Sequence, residues 1–249
     1  MVMRQQLLAS WRLLRLGGHL IGGLATLRWR FPSWSATRQQ EEIQAWALAA
    51  LGLLAIDLKV SGAPPATGPA LRVSNHVSWL DILVLQATSP SRFVAKAEVR
   101  QWPLMGRLAA KAGTLFISRE SPRDALRVVH QMAEHLQAGE VLTIFPEGTT
   151  SNGQQVLPFH ANLFQAAVSA KAPVQALALQ FVERASGQVS LAPIYIDEDT
   201  LLQSMWRTVR HPGLRAEVRL GPVQPPLGRD RRALSQDTRA AVDNLRCLV

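Results

Sequence analysis

"LRVSNHVSWLDI", residues 71–82, begins as a strand and ends as a helix. "LRVS" (71–74) reads as a short strand, the chain then has to turn, and Ser78-Trp79-Leu80-Asp81 is a serine-x-x-acid helix start. This reading places His76 in the strand-to-helix loop and Asp81 at the third helical position. The change of conformation matters. Five residues are about 500° around an α-helix and an odd number of steps along a strand, so neither regular element would put His76 and Asp81 on one face. Across a loop-to-helix turn they can meet. A carboxylate on one imidazole nitrogen then fixes the tautomer and leaves the other nitrogen able to accept a proton near neutral pH. Taken alone, so short a pattern is read more readily as a capped helix beside a histidine bonded to a backbone carbonyl.

Outward from this stretch the chain alternates strands and helices. Candidate strands are "RFVA" (92–95), "TLFI" (114–117), "VLTIF" (141–145), "QALALQF" (175–181), "SLAPIYI" (190–196) and "AEVRLG" (216–221). The best-marked helix runs from Pro122 to Gln137, with Ser121 as N-cap, Pro122 at its first position, Asp124 closing the cap and Gly139 just past its end. The pattern predicts an α/β domain with a mostly buried mixed sheet flanked by helices. "SGAPPATGPA" (61–70) reads as a linker and divides the chain into a helical segment, 1–60, and the α/β domain, 61–249.

Composition bounds what this domain meets. Apolar residues make up 47% of the chain, charged residues 18%, and mean hydropathy is +0.04, which suits a membrane-facing protein better than a freely soluble one. A formal charge of +9 implies an anionic partner. The first forty residues hold Arg4, Arg12, Arg15, Arg28, Arg30 and Arg38 and no acid, interleaved with Trp11, Trp29, Trp34 and leucines. Such a stretch suits the headgroup boundary of a bilayer. Its apolar runs, "LGGHLIGGLATL" (16–27) and "AWALAALGLLAI" (45–56), fall short of the ~20 residues a span requires. A pair of membrane-interfacial helices is therefore expected, with a hairpin packed on the sheet as the alternative. Basic helices, zinc patterns and RNA-binding signatures are not recognisable, so no nucleic-acid partner is expected. The single cysteine, Cys247, supplies neither a disulfide framework nor a cysteine metal site.

A His-Asp pair with no Gly-x-Ser-x-Gly elbow in the chain makes sense when the nucleophile is a hydroxyl on the substrate. Two further segments follow predicted strands. "FPEGTTS" (145–151) joins a glutamate to a polar turn, and "GTLFISR" (113–119) delivers Arg119, whose guanidinium could take a phosphate in two contacts. Their plainer readings are an acidic turn and an arginine paired with Glu120 or Asp124.

In order, "NHVSWLD", "GTLFISR", "FPEGTTS" and "APVQALAL" (172–179) resemble the glycerolipid acyltransferase family, most closely the 1-acylglycerol-3-phosphate acyltransferases. The resemblance implies an α/β enzyme on the cytoplasmic face of the inner membrane, held to an anionic leaflet. It would move a fatty acyl group from acyl carrier protein or coenzyme A to the sn-2 hydroxyl of 1-acyl-sn-glycerol 3-phosphate. It further implies His76 as base and Asp81 as the carboxylate that orients it. Phe145, Pro146, Glu147, Gly148, Thr149 and Thr150 would line the acceptor site, Glu147 by bonding the glycerol moiety or by bracing the loop. Lys96 and Arg119 would hold the phosphate, with Asn75 and His160 as further acceptor-site candidates. Neither a metal nor a resident cofactor is implied, since the acyl thioester is a substrate.

Four positions depart from the family pattern. Thr150 and His160 stand where arginine and lysine are common, Ser118 where aspartate is, and Ala176 where a second proline is. The lost cations make an amino-acid lysolipid, such as a lyso-ornithine lipid, the alternative acceptor. A non-catalytic lipid-binding relative is the other alternative.

Overall fold

The computed structural model describes residues 2–102, 104–117, 122–196 and 199–247. Seven strands, β1 (Ile56–Gly62), β2 (Ala70–Ser74), β3 (Arg92–Lys96), β4 (Leu115–Ile117), β5 (Val141–Ile144), β6 (Val174–Glu183) and β7 (Leu214–Gln224), join in one sheet. Its order is β1-β7-β6-β2-β5-β3-β4. From β6 to β4 all neighbours are parallel, whereas β7 is antiparallel to β6 and carries β1 parallel to itself. The expected mixed, buried sheet is what forms. Its central strand β2 is buried at every position, which is why Leu71 and Val73 stand in an apolar run without a solvent face.

Helices cover both faces. On one face α2 (Ala36–Leu53), α3 (Asp81–Thr88) and α7 (Leu201–Arg210) share a core with Leu177, Leu179 and Phe181 of β6 and Val218 of β7. On the other, α5 (Pro122–Gln137), α6 (Gln165–Ala170) and α8 (Arg231–Cys247) pack Met132, Leu136 and Leu234 over Leu71, Val73, Ile144 and Val174. A short helix, α4 (Met105–Lys111), packs against the N-terminal helix. Helix α5 has the expected bounds and ends at Gly139, whose φ of +85° lets the chain reverse. Its expected N-cap, Ser121, lies outside the described residues.

The N-terminal segment forms one long helix, α1 (Val2–Trp29), followed by α2. Helix α1 is packed rather than free: Ala9, Leu13, Leu16 and Leu20 join the core shared with α7. Arg12 holds it there by donating to the carbonyls of Val209 and His211, both at 2.7 Å, at the end of α7. His19 stacks on Trp46 of α2 with ring centroids 4.7 Å apart, and Gly23 lies beneath that indole. A Cβ at position 23 would stand 2.6 Å from Trp46 Nε1, so the site requires glycine. The opposite face of α1 displays Met3, Leu7, Trp11, Leu14 and Ile21. Among the described residues, no helix is long and apolar enough to cross a membrane.

Three expectations are corrected. The segment 190–196 is not a strand. Pro193 has no N–H for a ladder, Ile194 N donates back to Leu191 O at 3.2 Å, and the carbonyls of Ala192 and Ile194 bond Arg207 of α7. Strand β1 is an addition: Ile56, Leu58 and Val60 alternate with Asp57, Lys59 and Ser61 and pair with β7, so the line at 60/61 falls inside a strand of the sheet. Helix α3 starts at Asp81 itself, because Ser78 and Leu80 are taken up in the turn before it.

Candidate active site

The parallel strands β2, β5, β3 and β4 all end on one edge of the sheet, where a crevice for ligands forms in open α/β sheets. The loop after β2 brings Asn75 and His76 to this edge, the loop after β5 brings Phe145–Thr150, and β3 ends there with exposed Lys96. Arg119, which follows β4 in sequence, lies outside the described residues.

His76 and Asp81 meet. Nδ1 of His76 is 2.7 Å from Asp81 Oδ2. The same oxygen accepts the backbone N–H groups of Val77 at 2.7 Å and Ser78 at 2.9 Å. An oxygen that takes two amide protons is an acceptor, so Nδ1 carries a proton, and in the neutral ring Nε2 is the nitrogen with the free lone pair. Asp81 is fully buried, whereas the His76 side chain keeps 20% of its surface. The imidazole is therefore open on its outer side and held from within. Phe145 stacks on the imidazole with centroids 4.1 Å apart and planes 14° from parallel, and Phe93 backs Phe145. Stacking and the Nδ1 bond together fix both the plane and the rotation of the ring.

Glu147 braces this loop. Its Oε1 accepts His76 N at 2.8 Å and its Oε2 accepts Leu157 N at 3.0 Å. Of the two roles foreseen for Glu147, bracing is the arrangement present. Burial raises its carboxyl pKa, against the pull of the Leu157 and His76 amides. The turn around it is tight: Gly148 N donates to Phe145 O at 3.1 Å, and Gly148 has φ +73°. Ser151 N closes the ring by donating to His76 O at 2.8 Å.

In Glu147→Gln one of the two amides must face an NH2 group, and an unpaired buried N–H costs about 1–3 kcal/mol. Urea unfolding is expected to show that loss, with a matching drop in acyl-transfer rate. The raised folded pKa also sets a sign. The contribution of Glu147 to stability is complete below the ordinary glutamate pKa and is lost as pH rises through the raised one. Glutamine does not titrate, so the stability gap between wild type and variant should be widest in acid and narrow toward neutrality.

Other candidates are placed differently. Asn75 is buried and spends its amide on β6, donating to Leu179 O at 2.9 Å and accepting Leu179 N at 2.8 Å. Pro146 is buried and its carbonyl accepts His160 N at 2.8 Å, while the His160 side chain is exposed. Thr149 is exposed, and Thr150 donates its hydroxyl to the carbonyl of Tyr195.

The geometry is that of an imidazole held through Nδ1 by a buried carboxylate and mounted at the carboxyl ends of parallel strands. Residues 56–180, half of the chain, match the acyltransferase family. The chain belongs to the acyltransferase family. Along nearly its whole length this acyltransferase resembles the lyso-ornithine lipid O-acyltransferase of Pseudomonas aeruginosa, with 40% identity over 245 residues, 94% of this chain and 93% of that protein. The 1-acyl-sn-glycerol-3-phosphate acyltransferase of Neisseria gonorrhoeae is 41% identical over 170 residues, 68% of this chain and 66% of that protein. Among solved structures, the 1-acyl-sn-glycerophosphate acyltransferase PlsC of Thermotoga maritima matches with a TM-score of 0.73 at 19% identity, over 97% of this chain and 94% of that one. At that identity the likeness is one of fold, and it takes in the N-terminal helices of the acyltransferase as well as the sheet.

Sequence reasoning missed the wall opposite the turn. Ser78 Oγ donates to Pro193 O at 2.6 Å, and Tyr195 N donates to Val77 O at 3.1 Å, so the loop from Ser190 crosses the sheet edge beside His76. Pro193 within "SLAPIYI" was the available signal that this segment leaves the sheet.

Proposed function

We propose that this acyltransferase moves a fatty acyl group from an acyl carrier protein or coenzyme A thioester to the free hydroxyl of a lysolipid. The observation that carries the reading is the 2.7 Å contact of His76 Nδ1 with buried Asp81, which leaves Nε2 to take a proton. As the hydroxyl oxygen attacks the thioester carbonyl, its proton passes to Nε2. The C–S bond then breaks, and the imidazolium returns the proton to the departing thiolate. Asp81 balances the transient charge, and backbone N–H groups would receive the thioester oxyanion.

For the acceptor, the ordered motifs favour 1-acyl-sn-glycerol 3-phosphate, with Lys96 and Arg119 as its phosphate ligands and Phe145–Thr150 along its path. The product would be phosphatidate. A second reading, a lyso-ornithine lipid, is favoured by a specific observation. Thr150 supplies no cation and its hydroxyl is engaged by Tyr195 O, while a 40% identity that spans nearly the whole chain is to an enzyme named for that lipid. Competition between the two lysolipids for one labelled thioester tests the choice. Phosphatidate as the main product supports the first reading, and acylated ornithine lipid alone would replace it with the second.

The outward face of α1, Met3, Leu7, Trp11, Leu14 and Ile21, supports a seat on the cytoplasmic surface of the inner membrane, with the chain's excess of arginine facing anionic lipid. Trp11→Glu with Leu14→Glu is expected to abolish co-flotation with anionic vesicles while leaving the circular dichroism spectrum unchanged. Persistent flotation of that variant, or release of wild type by salt alone, would contradict an apolar seat.

A further inference from the structure

Thr150 lies in the turn that follows β5, and its side chain points its hydrogen bond at the protein. Thr150 Oγ1 donates to Tyr195 O. The same loop is tied to the motif on the other side, by Ser78 Oγ to Pro193 O at 2.6 Å and by Tyr195 N to Val77 O at 3.1 Å. From behind, Arg207 of α7 donates Nε to Ala192 O at 3.0 Å and a second nitrogen to Ile194 O, and Ser204 Oγ approaches Pro193 O at 3.4 Å. Position 150 is three residues from Glu147, which holds His76 N, and next to Ser151, which holds His76 O. Thus the loop 190–196 is bonded on one side to Val77, Ser78 and Thr150, the first two directly after His76, and on the other side to α7. The loop has backbone bonds as well, Tyr195 N to Val77 O and Ser190 N to Phe181 O at 2.9 Å, and the side-chain bonds of Ser78, Thr150 and Arg207 fix the irregular stretch between them.

We infer that Thr150 is a specificity-determining positioning residue: by latching Tyr195 it fixes the loop 190–196 as the wall against which the acceptor headgroup is read. The inference rests on the reading of this edge as the acyl-acceptor site. Thr150 acts through the loop and not on the reacting atoms, so its effect falls on acceptor affinity and on the choice between acceptors. Arg207 holds the same loop from α7, outside the motifs, and its loss should act in the same direction.

The test uses the full chain in anionic vesicles, with lysophosphatidate and lyso-ornithine lipid as separate acceptors and Thr150→Val, Thr150→Ser and Arg207→Met as variants. Losing one hydrogen bond of ordinary strength should raise the KM of the better acceptor about 5-fold and narrow the preference between acceptors by a similar factor. The kcat at saturating acceptor should stay within about 2-fold, as for an interaction made equally in ground and transition state. Thr150→Ser keeps the hydroxyl and should retain the wild-type KM and preference. Unchanged KM and preference in both Thr150→Val and Arg207→Met would overturn the inference, as would a fall in kcat alone or a failure of serine to substitute. Should Thr150→Val fail to fold, Arg207→Met decides on the same readout. If wild type acylates neither lipid, the underlying reading of the site falls too, an outcome distinct from unaltered preference in an active enzyme.

Discussion

His76→Ala lowers acyl transfer by about 10²–10⁴-fold, the contribution expected of a positioned general base, with little change in fold or vesicle binding. The structural ground for that separation is specific. Among the described residues the imidazole makes one polar contact, Nδ1 to Asp81 at 2.7 Å, and one stack, on Phe145. The bonds by which His76 shapes the loop run through its backbone: its N–H to Glu147 and its carbonyl from Ser151. Alanine keeps that backbone. Asp81 also retains the Val77 and Ser78 amides, so the carboxylate is not left bare. Release of free thiol from the acyl donor, measured under single-turnover conditions, reads the chemical step without product release. Near-normal thiol release by His76→Ala in the presence of acceptor would remove the imidazole from the mechanism.

Asp81→Asn should be nearly as severe in turnover and differ in stability. Oδ2 accepts three hydrogen bonds, from Nδ1 of His76 and two amides, while Oδ1 is buried and has no partner among the described residues. If the asparagine oxygen takes the place of Oδ2, its NH2 occupies the unpartnered position, at a cost of about 1–3 kcal/mol. If the amide is reversed, NH2 confronts three donors and the imidazole loses its anchor. Either way the negative charge that balances the imidazolium is gone. The expectation is a fall in kcat of about 10²–10³-fold at nearly constant acceptor KM, with a lowered urea midpoint. A normal kcat with a raised KM would move Asp81 from the chemistry to the acceptor site.

Much of this was legible in the residues. Strand β2, the loop that follows it and the meeting of His76 with Asp81 could be read because a change from period two to a helix start is a local signal. Six of the seven strands carried apolar β-rich runs of the usual kind. Strand β1 escaped because it follows directly on the apolar run 45–56 and precedes a proline-rich stretch. Its alternation of Ile56, Leu58 and Val60 with polar neighbours was nonetheless present. The segment 190–196 misled for the opposite reason: its composition suits a strand, but Pro193 and the pull of Arg207 decide otherwise. The start of α3 was displaced because Asp81 turns its side chain back onto the amides of Val77 and Ser78, so the helix opens at Asp81 after an N-cap, Leu80, that gives no side-chain bond. The bracing by Glu147 depended on Leu157, ten residues away, and the latch of Thr150 on Tyr195, 45 residues away. Contacts of that kind leave no periodic trace.

The N-terminal helices show the same limit. Composition marked them as apolar and basic, and two readings were open, a membrane seat or packing on the sheet. Helix α1 has two apolar faces: Ala9, Leu16 and their neighbours serve the core, and Met3, Leu7, Trp11, Leu14 and Ile21 face outward. A hydropathy average over the stretch blends them.

The central claim is that the His76–Asp81 pair drives acyl transfer to a lysolipid hydroxyl. Its most direct test is mass-spectrometric product analysis of wild type and His76→Ala side by side, given an isotopically labelled acyl thioester and both lysolipids in vesicles. The account predicts labelled diacyl product from wild type and almost none from His76→Ala. Equal labelled product from the two proteins, or labelled free fatty acid as the main product of wild type, would contradict it.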